Sequence, residues 1–403
     1  MPSRFDEYIK LDPPIPYTSR AEMINRCYDM IMALRGPTYF DEINFHKFAI
    51  AYLLNITFFQ LGEQNRSRMA ECEGMQLGRL LNLHKSSEED GLNCIEVQLR
   101  RKGFWLLFYG YVHSQLQNLR KEKLTFLDPV LMQTIDLQGL LPKEVDDELI
   151  LDDIILPASA PETSLTAGFI VHSKVFGAAL GPWTSIGNLH TPRTCQCQRA
   201  SNKAESVTYL NERLHELKYI LDVIPGPLRQ WAQAPAITPS FDEGSPSATD
   251  LHEDVVQLQF ATMRANLHVT HLWLQSIVID QLDAAEGTND PDSLSRKALW
   301  AQREEVCRQL LHVLHTIPES ALEPNGLHLT FKVRDVAVGM LACPYGEEEM
   351  PSRRAAEYVR ELTAILSRLD RSERINTANS QSWVDTDRIK DIQVGDMTQF
   401  GDW

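Results

Sequence analysis

The sequence predicts an all-α fold: a multi-helix domain with a buried central helix and no significant β-sheet. Three observations predict it. Apolar residues recur at intervals of three and four from about 21 to 370, the spacing of one helix face. No stretch of any length alternates apolar and polar residues as a half-buried strand does. The run 103–112 carries no charged side chain and holds Phe104, Trp105 and Phe108. A helix apolar on all sides is one enclosed by others, so 96–118 reads as the central helix.

In chain order, 1–20 is proline-rich and aperiodic and reads as an N-terminal arm. From 21 to 34, Met23, Ile24, Cys27, Met30, Ile31 and Leu34 fall at helical spacing, and Gly36-Pro37 stops that helix. Asp41 is placed to cap the next, which carries Phe45, Phe48, Ala49, Tyr52, Leu53 and Ile56 on one face. A third helix, 63–81, ends at Leu80-Leu81-Asn82-Leu83-His84, where Asn82 tolerates the left-handed conformation a C-cap requires. Ser86 to Gly91 is a charged turn into the central helix, whose first turns carry Arg100, Arg101 and Lys102. Leu124 to Asp136 has Leu, Phe and Pro without helical period, so it reads as an extended wrap over the outside.

Further helices are expected at 159–181 and 203–223, with a Gly/Thr/Pro-rich linker through 200 between them. Pro225-Gly226-Pro227 breaks the pattern, and 234–249 is a loop of Pro, Ser, Ala and Thr. The longest helical period spans 251–282, with Val255, Leu258, Met263, Leu267, Leu274, Ile277 and Val278 on its buried side. An acidic loop, 283–292, precedes helices at 294–316, 328–342 and 352–370. The expected organisation is thus an arm (1–20), one all-helical domain (21–370) and a polar, acidic C-terminal tail (371–403).

Composition sets outer limits on function. With 403 residues, 43 % hydrophobic and 23 % charged, the chain can bury a sizeable core. Its net charge of −16 repels phosphate backbones, so direct DNA binding is not expected of it. No apolar run approaches the ~18 residues that span a membrane, and the N-terminus lacks the apolar core of a secretion signal. Seven scattered cysteines, an odd number, point to a reducing, intracellular setting.

Several groups invite chemistry, each with a plainer reading beside it. His268-x-x-His271 and His312-x-x-His315 pair imidazoles on one helix face, as metal ligands would be paired. Neither has an HExxH glutamate, so they read as structural or surface histidines. Cys195-Gln196-Cys197 lacks a second pair and reads as incidental thiols. Asp146-Asp147-Glu148 with Asp152-Asp153, and Asn289-Asp290 with Ser293, suggest the magnesium motifs of helical terpene cyclases. Lys297, however, stands where the second motif needs an acid, and the first cluster reads as loop. Arg100-Arg101-Lys102 is too short for a nucleic-acid patch and reads as a salt-bridged helix start. The tail, with Trp383, Phe400 and Trp403 among aspartates, has the composition of acidic activation segments or of a frayed terminus. No catalytic residue, metal ligand or cofactor is assigned.

Three segments together resemble a known family. Met75-Gln76-Leu77-Gly78-Arg79-Leu80-Leu81-Asn82-Leu83-His84 looks like the "A…LGLH" helix end of the middle homology region in fungal zinc-cluster transcription regulators. Arg100-Arg101-Lys102-Gly103-Phe104-Trp105 is similar to its "RRR-x-FW" motif, and Ile135-Asp136-Leu137 through Leu141-Pro142 to Asp146-Asp147-Glu148 to its "D…LP…DDE" stretch. The likeness is best over 45–155. Asn82 stands where Gly is usual, Lys102 where Arg is common and Gly103 where an apolar residue is expected. Members begin with a six-cysteine zinc cluster, whereas only Cys27 lies in the first seventy residues here. The resemblance implies a regulatory, effector-sensing helical region without its own DNA-binding module, either naturally so or as part of a longer chain. It implies a nuclear role in controlling a metabolic or secondary-metabolite gene cluster. The implied partners are other transcription proteins, among them a DNA-binding chain, and a small-molecule inducer. Its pocket is expected beside Phe104, Trp105 and Phe108, because a helix interior is where an apolar cavity is available. The alternatives are a metal-dependent helical enzyme and a non-catalytic interaction scaffold.

Overall fold

The computed structural model describes residues 16–17, 19–89, 91–116, 125–157, 163–179, 196–232, 248–287 and 293–369. The tail at 371–403, most of the 1–20 arm, Cys195, Asn289-Asp290 and nearly all of the 234–249 loop lie outside them. The fold is all-α. Among the described residues the only β-type pairing is an isolated antiparallel bridge between Ile150 and Ile155. No helix among them is long and apolar enough to cross a membrane. The chain forms two compact units, one containing the residues up to Leu77 and the other spanning 78–370.

The first unit is built from α1 (Arg20–Ala33), α2 (Phe45–Gln60) and most of α3 (Gln64–Leu80). Ser19 starts α1 by accepting the Glu22 amide. The cap of α2 is Asn44, whose side chain accepts the Lys47 amide at 3.1 Å; Asp41 is not the cap. A cap must stand directly before the first helical residue to reach that amide, and Asp41 lies in the preceding turn. The buried line of α2 is Phe48, Ala51, Leu54 and Phe58, while Leu53, expected inside, is 63 % exposed. This helix is apolar on nearly every side, so its period alone does not select the inward face. Leu54, Phe58 and Ala70 form its core with Tyr28 and Ile31 around them, and Arg35 pairs with Glu73 at 2.9 Å.

Helices α2 and α3 end in the same way. Gly62 (φ 73°) and Asn82 (φ 53°) both adopt the left-handed conformation. After α2 the Glu63 amide reaches back to the Phe58 carbonyl, and after α3 the Leu83 amide reaches back to that of Gly78. Each is a Schellman closure that satisfies carbonyls the helix leaves open.

The second unit contains α4 (Cys94–Leu116), α5 (Leu165–Ala179), α6 (Gln196–Tyr219), α7 (Ala248–Glu286), α8 (Leu294–Thr316), α9 (Gly326–Gly339) and α10 (Met350–Leu369). From Arg100 to His113 no residue of α4 is exposed, which is the enclosure its uncharged run predicts. The others nevertheless gather around α7, against which α5, α6, α8 and α9 all pack. It runs past the expected ends of 251–282, into the start of the predicted acidic loop, and Val255 is 53 % exposed. Likewise α6 begins inside the stretch expected to be linker.

The segment 125–157 lies against α4, but it is more than an outer wrap. Asp128 caps one helical turn, Pro129–Met132, and Leu127 and Leu140 are fully buried. Where α5 meets α7, Gly168 leaves a slot occupied by Met263, whose Sδ would stand 1.7 Å from any Cβ at that position.

Candidate functional site

The residues singled out by sequence fold into one brace at the N-terminal half of α4. Arg101 donates from Nε and Nη2 to the Glu89 carboxylate at 2.8 and 2.7 Å, and from Nη1 to the Leu141 carbonyl at 3.2 Å. Arg100 donates to Glu96 at 2.7 Å and to the Leu81 carbonyl at 3.3 Å. Lys102 pairs with Asp147. The Trp105 indole N–H donates to the Leu140 carbonyl at 2.9 Å, and the Lys143 amide donates to Gln98 at 2.7 Å. Asp146 accepts the Leu165 amide at 2.9 Å, anchoring the start of α5. Leu83 and Pro142 are buried, and the His84 ring lies 5.6 Å from that of Phe126. Every cation of the triplet thus has its own carboxylate.

Phe104, Trp105 and Phe108 pack on one another, with centroids 5.0 to 6.0 Å apart, and all three are buried. They serve as the brace's apolar backing. A cleft of about 220 Å³, counted out to open solvent, lies nearby between Asn82, Glu89, Arg100 and Arg101. The space in it that a water could occupy is only about 10 Å³, room for a single water and not for a small organic molecule. The acids of the magnesium reading are dispersed: Asp146 and Asp147 serve the brace, and Asp152 accepts from Asn93 at 3.0 Å. Among the described residues no group of three His, Cys, Asp or Glu is arranged to hold a metal ion.

The first histidine pair is built into the core. His268 meets the Leu228 carbonyl at 2.9 Å and His271 that of Leu217 at 2.6 Å. Burial lowers both pKa values, that of His271 to about 4, so each stays neutral and donates to a carbonyl. Of the second pair, His315 faces Glu361 at 2.6 Å on the surface.

A second cluster, which the sequence reading did not identify, lies where α4, α5, α7 and α9 meet. Lys332 on α9 is 2 % exposed. Its ammonium donates to Thr270 Oγ1 at 2.7 Å and to Asn266 Oδ1 at 3.3 Å, both on α7. The rings of Phe176 and Trp273 lie with their centroids 5.7 Å from it, within cation–π range. From α5, His172 Nε2 stands 3.2 Å from the same Thr270 hydroxyl. From α4, the Tyr109 hydroxyl meets Ser173 at 2.5 Å, and the Tyr109 ring stacks on Phe176. His113 stacks on Trp273, whose indole donates to Asp335 at 3.0 Å.

Among the described residues Lys332 makes no ion pair, and burial pushes its pKa down to about 7. Burial and the neighbouring Lys332 charge hold His172 well below the ordinary imidazole value. The signal for this centre was present in the sequence. Lys332 falls on the stripe Leu329, Val333, Val336, the buried face of α9.

Comparison with family models, with curated proteins and with solved structures finds no match to this chain.

Proposed function

We propose that this chain is the effector-sensing region of a transcription regulator resembling the fungal zinc-cluster class. It acts in the nucleus on a metabolic or secondary-metabolite gene cluster. Its contact with DNA runs through a partner polypeptide, since a charge of −16 opposes tight binding of a phosphate backbone by this chain itself. One observation carries the reading: the motif segments of the resemblance, distant in sequence, meet in a single hydrogen-bonded brace in their family order. A brace of that kind fixes a helical framework and offers no reactive group. No catalytic role is proposed for any of its residues.

The test is genetic. Deleting the gene is expected to change transcript levels across a defined neighbouring cluster, and restoring it to reverse the change. Unaltered transcripts with an intact deletion would overturn the reading. Sequence-specific DNA binding by the purified chain alone would overturn the partner part of it.

A further inference from the structure

Lys332 and Arg264 are the strongly buried cations of the second unit's interior that no carboxylate answers among the described residues. Arg264 donates to the Pro227 and Ala232 carbonyls, whereas Lys332 has only side-chain acceptors. Arg303 is comparably buried, but it meets Asp280 and Asp283 at 2.9 and 3.0 Å. A methionine at 332 would fill the same space without the cost of burying a charge. The fold instead brings hydrogen-bonding side chains of α5 and α7 to that point, with further polar groups from α4 close by.

We propose that the centre around Lys332 binds a small organic carboxylate with a flat apolar body. The carboxylate meets the Lys332 ammonium, and the body lies against Trp273, Phe176 and Tyr109. An ammonium has three donors and two are used here, which leaves one for the ligand. Asn266 presents its Oδ1 to Lys332, so its amide NH₂ is the group available to the second carboxylate oxygen. The aromatic faces suit a planar body. A single cation beside a neutral imidazole matches one negative charge and is a poor match for a phosphate dianion. Asn266 and His172 keep partial exposure, so the centre lies one side chain from solvent. As the effector site of the regulator, it rests on the reading above; the binding itself does not.

Thermal unfolding of the full chain tests it, with benzoate, phenylacetate and indole-3-acetate as probes at up to about 20 mM, and the corresponding amides as neutral controls. At least one acid is expected to raise Tm saturably, with a millimolar or tighter Kd, and its amide to leave Tm unchanged. Lys332→Met is expected to fold and to lose the response. Thr270→Val, nearly the same shape, is expected to weaken it by about tenfold, and it decides the matter if Lys332→Met fails to fold. No response to any of the acids in the wild type, or a response undiminished in these variants, overturns the site. Acid binding together with unchanged cluster transcripts in a Lys332→Met strain would keep the site and overturn its role as the effector site, whereas unchanged transcripts in the deletion strain would overturn the regulator reading itself.

Discussion

The second unit treats its basic side chains in two ways. Around the start of α4, Arg100, Arg101 and Lys102 each have a carboxylate of their own, and Arg101 also ties down the Leu141 carbonyl. At the junction of α4, α5, α7 and α9, Lys332 is more deeply buried and has only neutral acceptors and ring faces. The difference separates a device that stabilises from one that costs. A paired and hydrogen-bonded charge locks segments together, whereas a buried unpaired one weakens the fold unless a ligand offsets it.

Substitutions at the two places are therefore expected to differ in sign. The largest effect belongs to Trp105→Ala, which removes a fully packed ring and frees the Leu140 carbonyl. Urea denaturation should register a loss of about 3–5 kcal/mol. Arg101→Met strands Glu89 and is expected to cost about 2 kcal/mol. Lys332→Met should be neutral or stabilising by up to about 2 kcal/mol, and a clear loss of stability there would break the contrast.

The pH dependence of stability sharpens it further. Lys332 holds its proton less readily folded, at about 7, than unfolded, at its ordinary 10.5. Between those values the unfolded chain binds more protons, so stability should rise with pH across that window. Lys332→Met should flatten the rise, and equal slopes in the two proteins would contradict the account. The smallest effect is local to the α3 terminus. Asn82→Ala should cost about 1 kcal/mol, while Asn82→Gly should be neutral within a few tenths, because only the alanine strains a left-handed residue.

Only the local part of the brace was legible in the sequence, since its ties to Leu140, Leu141, Lys143 and Asp147 span 35 to 45 residues. Asn82 marks a helix end, and a run of cations at a helix start calls for acids nearby. Helix α8 was legible to the residue, since its stripe is flanked by polar turns. What resisted reading was the middle of the second unit. Helix α7 buries Arg264, His268, Thr270, His271, Gln275 and Ser276, residues that any pattern of polarity assigns to solvent. The carbonyls that Arg264, His268 and His271 meet lie on segments tens of residues away, so no local period announces them. Lys332 was passed over although its place on the stripe of Leu329, Val333 and Val336 marks it as buried; only its partners on α7 lie beyond the reach of a local pattern.

Gly168 has a consequence of its own. It sits one turn before His172 and Ser173, and the thioether of Met263 occupies the room its missing side chain leaves. The gauge between α5 and α7 is therefore set by a single hydrogen atom on one side and a pliable chain on the other. Even a methyl group there must evict Met263, shifting the track on which His172 approaches Thr270. A glycine outside the cluster thus sets how closely the side chains that surround Lys332 can approach one another.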